Sequence, residues 1–456
     1  MDLLDKCRQI LEENNQETKN LETWVVGGAV RDDLLDKKPK DIDFIVIDET
    51  EESIKDRGFN KIEAQSFPVF QDSLGHEYSL PRTEESTGEG YHDFKIQTEN
   101  VTLQEDLKRR DFTINALARR VSDGAYEYPA AIQENPGAHS IKDLNEGIIR
   151  HITNAFGDDP VRILRMARFA ARYDFQVAKD TMQAARENRG KLEKVPGERI
   201  GAEIIKAMKE AKDVRAFFEV LRGCKALNII MPNVAEFPEI SAGPEKYHQE
   251  EDLWEHTMMT MEEMQKIEPN NPDLLLMALV HDIGKVKNKD ADNHGKHPKT
   301  GIPLIKQVCD RLKFGNDRTQ KLVDSSRQHM RIHNTPMSAE NRMTEKKVLD
   351  LIENLDHEKG ASLDELIKLC KADAKGRKPP QEIKQKQIRK RLEAAREVHE
   401  KVDAEYSVKK RNKTIKDYEP ENIGQMIIAD KVEMLKEKQG KKSKRNTIKE
   451  KITGDK

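Results

Sequence analysis

The chain is expected to fold as an α+β protein: an N-terminal α/β head on a small mixed β-sheet, then an all-α neck and body. Three observations carry this expectation. In the first 150 residues, short apolar segments alternate with turns containing glycine, as strands and short helices do. From about residue 157 the apolar positions recur at helical spacing almost throughout. No apolar run reaches about 18 residues, so no membrane span is expected. The 456 residues are enough for two to four domains. Charged residues make up 36 % and apolar residues 36 %, a balance that suggests many exposed helices around modest cores.

Taken in order, "MDLLDKCRQILEENNQ" is amphipathic and acidic, unlike a signal or transit peptide, and a cytoplasmic protein is expected. "TWVVGGAVRDDLLD" reads as strand, glycine turn and helix, "KDIDFIVID" as a second strand, and "HEYSLPRTEE" as containing a third. "STGEGYHDFKIQTEN" reads as a polar loop leading to "VTLQEDLKRRDFTINALARR", expected to be helical at its end. In "DPVRILRMARFAARYDF" the leading acid and Pro160 mark a helix start. A second helical array runs from about 250 to 376, and a charged helical tail follows "GRKPP". The expected segments are a head over 1–150, a neck over 151–245, a body over 246–384 and a tail over 385–456. Cys7, Cys224, Cys309 and Cys370 form no CxxC pair and read as reduced thiols. The last 21 residues hold nine Lys/Arg against three Asp/Glu, a basic end that is either solvated or a contact for polyanions.

The strand "KDIDFIVID" sets Asp41 and Asp43 two apart in its first half, so both are expected to point to one face. Two such carboxylates repel unless exposed, salt-bridged or bridged by a cation. Mg²⁺ suits the pattern, because it takes one or two carboxylates plus substrate phosphates. Upstream, Gly27 and Gly28 let backbone N–H groups approach an anion, and Arg31 could reach phosphate bidentately. The glycine pair, Arg31 and the acid pair fall within seventeen residues.

"VVGGAVRDDLL…DIDF", "DLKRRDFTINALA" and "GDDPVRILRMARFAARYDF" together resemble the class II tRNA nucleotidyltransferase and poly(A) polymerase family. Their order and spacing resemble most the bacterial CCA-adding enzymes that also carry an HD domain. The resemblance spans roughly residues 22 to 376. It implies that Asp41 and Asp43 hold catalytic Mg²⁺, that an RNA 3′-hydroxyl attacks a nucleoside triphosphate, and that pyrophosphate leaves. Gly28, Arg31 and Arg110 are then nucleotide-binding, while Asp111 and Asn115 orient the local backbone.

Asp159, Arg162, Arg165 and Arg168 recur every third residue, which on a helix makes one slowly winding stripe. Such a stripe is compatible with surface ion pairs, each contributing roughly 0.2–0.5 kcal/mol. The resemblance implies more: Asp159 and Arg162 read the base, with Arg165 and Arg168 on nucleotide or phosphate. Cytosine and adenine both present a ring-nitrogen acceptor beside an amine donor, which an Asp that accepts and an Arg that donates can pair. Uracil and guanine present the reverse. The sequence "DDPVR" departs from the usual Glu-Asp-x-x-Arg only in Asp158.

His256, His281, Asp282 and Asp373 follow the order H…HD…D and resemble the HD phosphohydrolase superfamily. The likeness implies a divalent ion, Ni²⁺, Mn²⁺ or Mg²⁺, that activates water at a phosphate. His297 and His329 could complete a second site or orient phosphate, and His333 lies nearby. The implied partners are tRNA, CTP and ATP, with no membrane, in a monomer or homodimer. Two other readings stay open: a poly(A) polymerase or A-adding enzyme, and an RNA-end phosphohydrolase whose head only binds RNA. The long segment between Arg82 and Asp106 fits the loop that full CCA specificity requires.

Overall fold

The computed structural model describes residues 2–62, 67–86, 94–129, 139–246, 248–287, 291–335, 343–355, 359–411 and 420–439. The chain divides into two compact units, Met1–Ile230 and Met231–Lys456.

The first unit is organised by strands β1 (Glu22–Val26), β2 (Asp43–Ile47), β3 (Asn60–Lys61), β4 (Val69–Gln71), β5 (Glu77–Ser79), β6 (Thr83–Ser86), β7 (Phe94–Gln97), β8 (Ala118–Arg120) and β9 (Tyr126–Glu127). Seven of them form one sheet in the order β3-β4-β5-β2-β1-β8-β9. The sheet is mixed because β2 pairs parallel with β5 while its other pairings are antiparallel. Phe44, Ile45 and Val46 are all buried, as a strand covered on both faces requires. On one face Trp24, Val26 and Ile45 pack with Leu103 and Leu107 of a short helix. Farther along the sheet, Tyr78 stacks on Phe44 at 5.0 Å and meets Phe59 edge-on at 4.9 Å.

Helices α1 (Leu3–Glu13), α2 (Gly28–Leu34), α3 (Leu103–Lys108), α4 (Val161–Tyr173), α5 (Gly197–Glu210) and α6 (Val214–Gly223) surround this sheet and build the neck, where α4 packs on α5 and α6. Three details differ from the sequence expectation. In "VTLQEDLKRRDFTINALARR" the helix lies at the beginning, and the end is strand β8. Thr102 accepts from Glu105 N–H while Glu105 reaches back to Thr102 N–H, a capping box that starts α3 early; Ala118–Arg120 are taken by pairing with β1. The segment read as a polar loop carries β7, which pairs with β6 from Thr83↔Gln97 to Ser86↔Phe94; residues 87–93 lie outside the described residues. Finally, β2 begins at Asp43, so Asp41 is not on the strand. The ladder ends where Val26 pairs with Asp43, because Gly27 turns β1 away into α2.

The second unit is a helical bundle of α7 (Leu253–Ile267), α8 (Pro272–Val280), α9 (His297–Leu312), α10 (Asn316–His333), α11 (Glu345–Leu355) and α12 (Leu363–Lys375). Helix α8, "PDLLLMALV", is buried from Leu274 to Val280. It packs against α7, α10 and α12, so the residues at its C-terminal end enter the middle of the bundle. Helices α13 (Gln385–Lys401), α14 (Ala404–Lys409) and α15 (Pro420–Lys438) follow. The basic end beyond 439 lies outside the described residues. All four cysteines are free and buried. Among the described residues, no helix is long and apolar enough to cross a membrane.

Candidate active site and metal centre

In the first unit, β1 delivers the chain to Gly27, which has φ +67°; a Cβ there would lie 2.8 Å from Arg110 Nη1. Only glycine meets both conditions without strain. Gly28 has ordinary backbone geometry, so the demand for glycine is strongest at Gly27. Arg31, one turn into α2, is buried and donates to Asp32 Oδ1 through Nε and Nη2 at 2.9 and 2.8 Å. It also donates to the Asn115 side chain and lies over the Tyr173 ring at 4.8 Å.

An open cleft of about 790 Å³ lies beside this turn. Ten cationic side chains line it, Arg31, Arg110, Arg162, Arg165 and Arg168 among them, against five carboxylates that include Asp43 and Asp159. Such a surplus suits a polyanion. Asp43 faces the cleft and Asp41 is exposed outside its lining. Burial raises the Asp43 carboxyl above the usual range; Arg110 opposes this, and Glu77 and Asp41 add to it. Glu77 stands in register with Asp43 on the parallel strand β5, a carboxylate that no sequence motif marks. Asp41, Asp43 and Glu77 offer only oxygen donors, the kind Mg²⁺ takes together with substrate phosphates, but among the described residues no three acids of the head bring their ligand atoms within 4.8 Å of one another.

The arginines are knitted together by acids. Buried Asp106, at the end of α3, takes Arg109 at 2.6 Å on one oxygen and Arg110 at 3.0 Å on the other. Asp111 accepts from Phe112 N–H and Asn115 Nδ2 at 2.9 Å each, and from Arg165 Nε at 2.7 Å. Burial would raise its carboxyl, but Arg165 and Asn115 outweigh that and hold it at about 2. Asp159 Oδ1 accepts from Val161 N–H at the start of α4, and its other oxygen lies 3.2 Å from Arg199 Nη2. Arg162 donates to the carbonyls of Ala155 and Arg109 at 2.8 Å each. Arg168 is buried between Glu203 at 2.8 Å and Glu210 at 3.0 Å. The stripe thus reaches one cleft, with each member also tied to a partner on another segment. The sequence offered no sign of Arg82, Arg109 or Arg199, whose place in the lining depends on chain crossings.

The second unit gathers the histidines. His281 caps α8 and Asp282 follows it, while His256, His297, His329 and Asp373 arrive from α7, α9, α10 and α12. His297 Nε2 and His329 Nε2 lie 3.0 and 3.3 Å from Asp282 Oδ1. His281 Nε2 and His256 Nε2 lie 3.4 and 3.7 Å from Asp282 Oδ2, and His256 Nε2 is 3.3 Å from Asp373 Oδ1. His333 turns to Asp373 Oδ2 at 2.6 Å. Two sets of three, His256/His281/Asp282 and Asp282/His297/His329, each bring their ligand atoms within 4.8 Å.

Burial lowers the His281 imidazole to about 3, keeping it neutral as a ligand must be. Burial would raise Asp282, but Lys285, His281 and His297 hold it well below the usual range. His256 Nε2 and His281 Nε2 are buried without a hydrogen-bond partner, although both face carboxylate. Orphaned buried nitrogens around an anion fit a divalent transition metal. Glu250, outside the H…HD…D pattern, accepts from His256 Nδ1 at 3.0 Å and so aims Nε2 inward. His281, His297 and His329 are oriented through Nδ1 by the carbonyls of Ala278, His294 and Ser325.

A mixed-sheet head with a basic cleft is thus joined in sequence to a helical bundle with a His/Asp centre. Residues 23–150 match the poly(A) polymerase head domain, 174–237 the probable RNA- and SrmB-binding site of polymerase A, and 253–374 the HD domain. The multifunctional CCA protein of Alkalilimnicola ehrlichii is 35 % identical over 367 residues, covering 78 % of this chain and 84 % of that protein. That of Shewanella frigidimarina is 36 % identical over 368 residues, with the same 78 % and 84 % coverage. The chain belongs to this multifunctional CCA protein family. Among solved structures, a CCA-adding enzyme in an apo form aligns with a TM-score of 0.62 at 19 % identity, over 99 % of this chain and 96 % of that one. The Thermotoga maritima CCA-adding enzyme complexed with tRNA aligns with a TM-score of 0.59 at 19 % identity, over 97 % and 94 %.

Proposed function

We propose that the protein is a CCA tRNA nucleotidyltransferase, which adds or repairs the 3′-terminal CCA of tRNA from CTP and ATP without a nucleic-acid template. The observation that carries this reading is the shared cleft: Asp43, Arg110, Asp159 and Arg162 line one cavity in a chain whose curated relatives are CCA proteins. Asp41, Asp43 and Glu77 would hold Mg²⁺, which when bound activates the RNA 3′-hydroxyl and offsets charge on the triphosphate. Gly27 and Gly28 leave room for phosphates, and Arg110, supported by Asp106, meets them. Asp159 and Arg162 pair the cytosine or adenine edge, exchanging Arg199 and the carbonyl partners for the base. Arg165 contacts the nucleotide, and Arg168, held by Glu203 and Glu210, supports the wall.

Incubating tRNA lacking CCA with CTP, ATP or both tests the reading. CTP-dependent growth that stops after CCA is expected; open-ended ATP incorporation would point to a poly(A) polymerase, and no incorporation to a head that only binds RNA. Asp159→Ala or Arg162→Ala should erode base choice more than rate. UTP and GTP misincorporation should rise about 10- to 100-fold, because each missing pairing removes roughly 1–3 kcal/mol of discrimination. Misincorporation assays on tRNA ending in CC read this directly, and unchanged fidelity would remove both residues from the template role.

The HD domain is proposed to be a metal-dependent phosphohydrolase that removes phosphate or opens 2′,3′-cyclic phosphate at RNA ends. His256, His281, Asp282 and Asp373 would hold a divalent ion, with His297 and His329 completing a second position or orienting phosphate; the ion supplies an activated water. Glu250 keeps His256 in one tautomer. Glu250→Gln should weaken metal binding about 10- to 100-fold, read as the metal dissociation constant by titration calorimetry. An unchanged constant would leave Glu250 a packing residue.

A further inference from the structure

Beside the His/Asp centre, a groove of about 980 Å³ runs between α9, α10 and α11. It adjoins the cavity that contains Asp282, His297 and His329, sharing Gly295 and Met330 with it. Its wall carries Lys296, Lys299, Arg327, Arg331 and Lys347 against a single acid, Asp350. Arg331 takes that acid at 2.6 Å. Lys296, Lys299, Arg327 and Lys347 have no acidic partner among the described residues. Such one-sidedness stands out in a chain of net charge −3, where acids and bases nearly balance. On α10 the lining positions 327, 330 and 331 fall on one helical face, which places Arg327 and Arg331 one turn apart beside Met330. The floor is apolar: Ile302 and Met330 contribute, and Met330 is 38 % exposed, an unusual setting for a large apolar side chain.

We propose that this groove holds the single-stranded 3′ segment of an RNA, its backbone phosphates along the Lys/Arg stripe and its terminal phosphate at the His/Asp centre. This rests on the phosphohydrolase reading of the HD domain and adds the track by which an RNA strand reaches the centre. Cations spaced along a track with apolar surface between them suit a strand whose phosphates repeat while ribose and base lie on the floor. A small phosphate ester would need only the residues at the metal centre.

The test compares two substrates in the full-length chain: a short RNA ending in 2′,3′-cyclic phosphate, and the mononucleotide 2′,3′-cyclic AMP. In the variant Lys299→Glu/Arg327→Glu/Lys347→Glu, kcat/KM for the RNA should fall at least about tenfold. Its salt dependence should flatten by about two logarithmic units per decade of salt, near 0.7 for each phosphate that is no longer neutralised. Values for 2′,3′-cyclic AMP should change less than twofold, and CTP addition by the head should persist. Equal values for the RNA in variant and parent would overturn the groove. An equal fall on both substrates would also overturn it, because the charges would then serve the centre and not a strand. Failure of the parent chain to hydrolyse either substrate would instead defeat the phosphohydrolase reading. In that event the groove is still read by photo-crosslinking an RNA that carries a 3′-terminal 4-thiouridine: crosslinks to peptides spanning 295–354 that disappear in the variant support it, and their absence in the parent overturns it.

Discussion

Replacing Asp43 by asparagine is expected to lower nucleotide addition by about three orders of magnitude, equivalent to about 4 kcal/mol of barrier, while leaving the fold intact. The two effects separate because of where the carboxylate lies. Asp43 is exposed at the start of β2, so asparagine removes neither packing nor a stabilising ion pair. The melting temperature should therefore stay level as activity collapses. A structural acid would behave in the opposite way. Asp106, bound to Arg109 and Arg110, is such a case, and Asp106→Asn should unfold the cleft wall. Single-nucleotide addition to tRNA with CTP, measured beside thermal denaturation, distinguishes them. Persistent addition by Asp43→Asn would end the proposed metal role.

Replacing Asp282 by asparagine should empty the HD centre. Its oxygens stand within 3.7 Å of four histidine nitrogens, and Lys285 Nζ lies 2.6 Å away. Removing one partner of a buried ion pair typically costs about 3–5 kcal/mol, so the second unit should also lose thermal stability. Metal content measured on the purified chain should drop to background, and hydrolysis of 2′,3′-cyclic AMP should vanish with it. CTP addition should remain, because the head's acids lie in the other compact unit. Metal retained at the parent stoichiometry would show that Asp282 is not the shared ligand.

Much of this was legible in the residues themselves. The strand–glycine–helix–strand order around Gly27, the helix begun by Pro160 and the buried α8 all follow from local preference and spacing, and the structure has them. The H…HD…D order picked out residues that converge. The failures share a cause. "VTLQEDLKRRDFTINALARR" holds apolar residues at spacings that suit helix or strand, and the choice fell to a capping box at one end and to pairing with β1 at the other. Asp41 leaves the strand because β1 has already turned at Gly27.

Which chemical groups the protein can bring to bear is set residue by residue: acids for a hard cation, arginines for phosphate, imidazoles for a softer ion, and periodicities that put them on strands or helices. Which of these groups meet is a matter of packing alone. Glu77 stands beside Asp43 through a parallel pairing across 34 positions, Glu250 aims His256 through one hydrogen bond, and five cations line one groove from α9 and the turn before it, α10 and α11. Periodicity reports the faces of a single element, whereas register and helix packing select partners across elements, and the energy of those encounters is not written in any one segment.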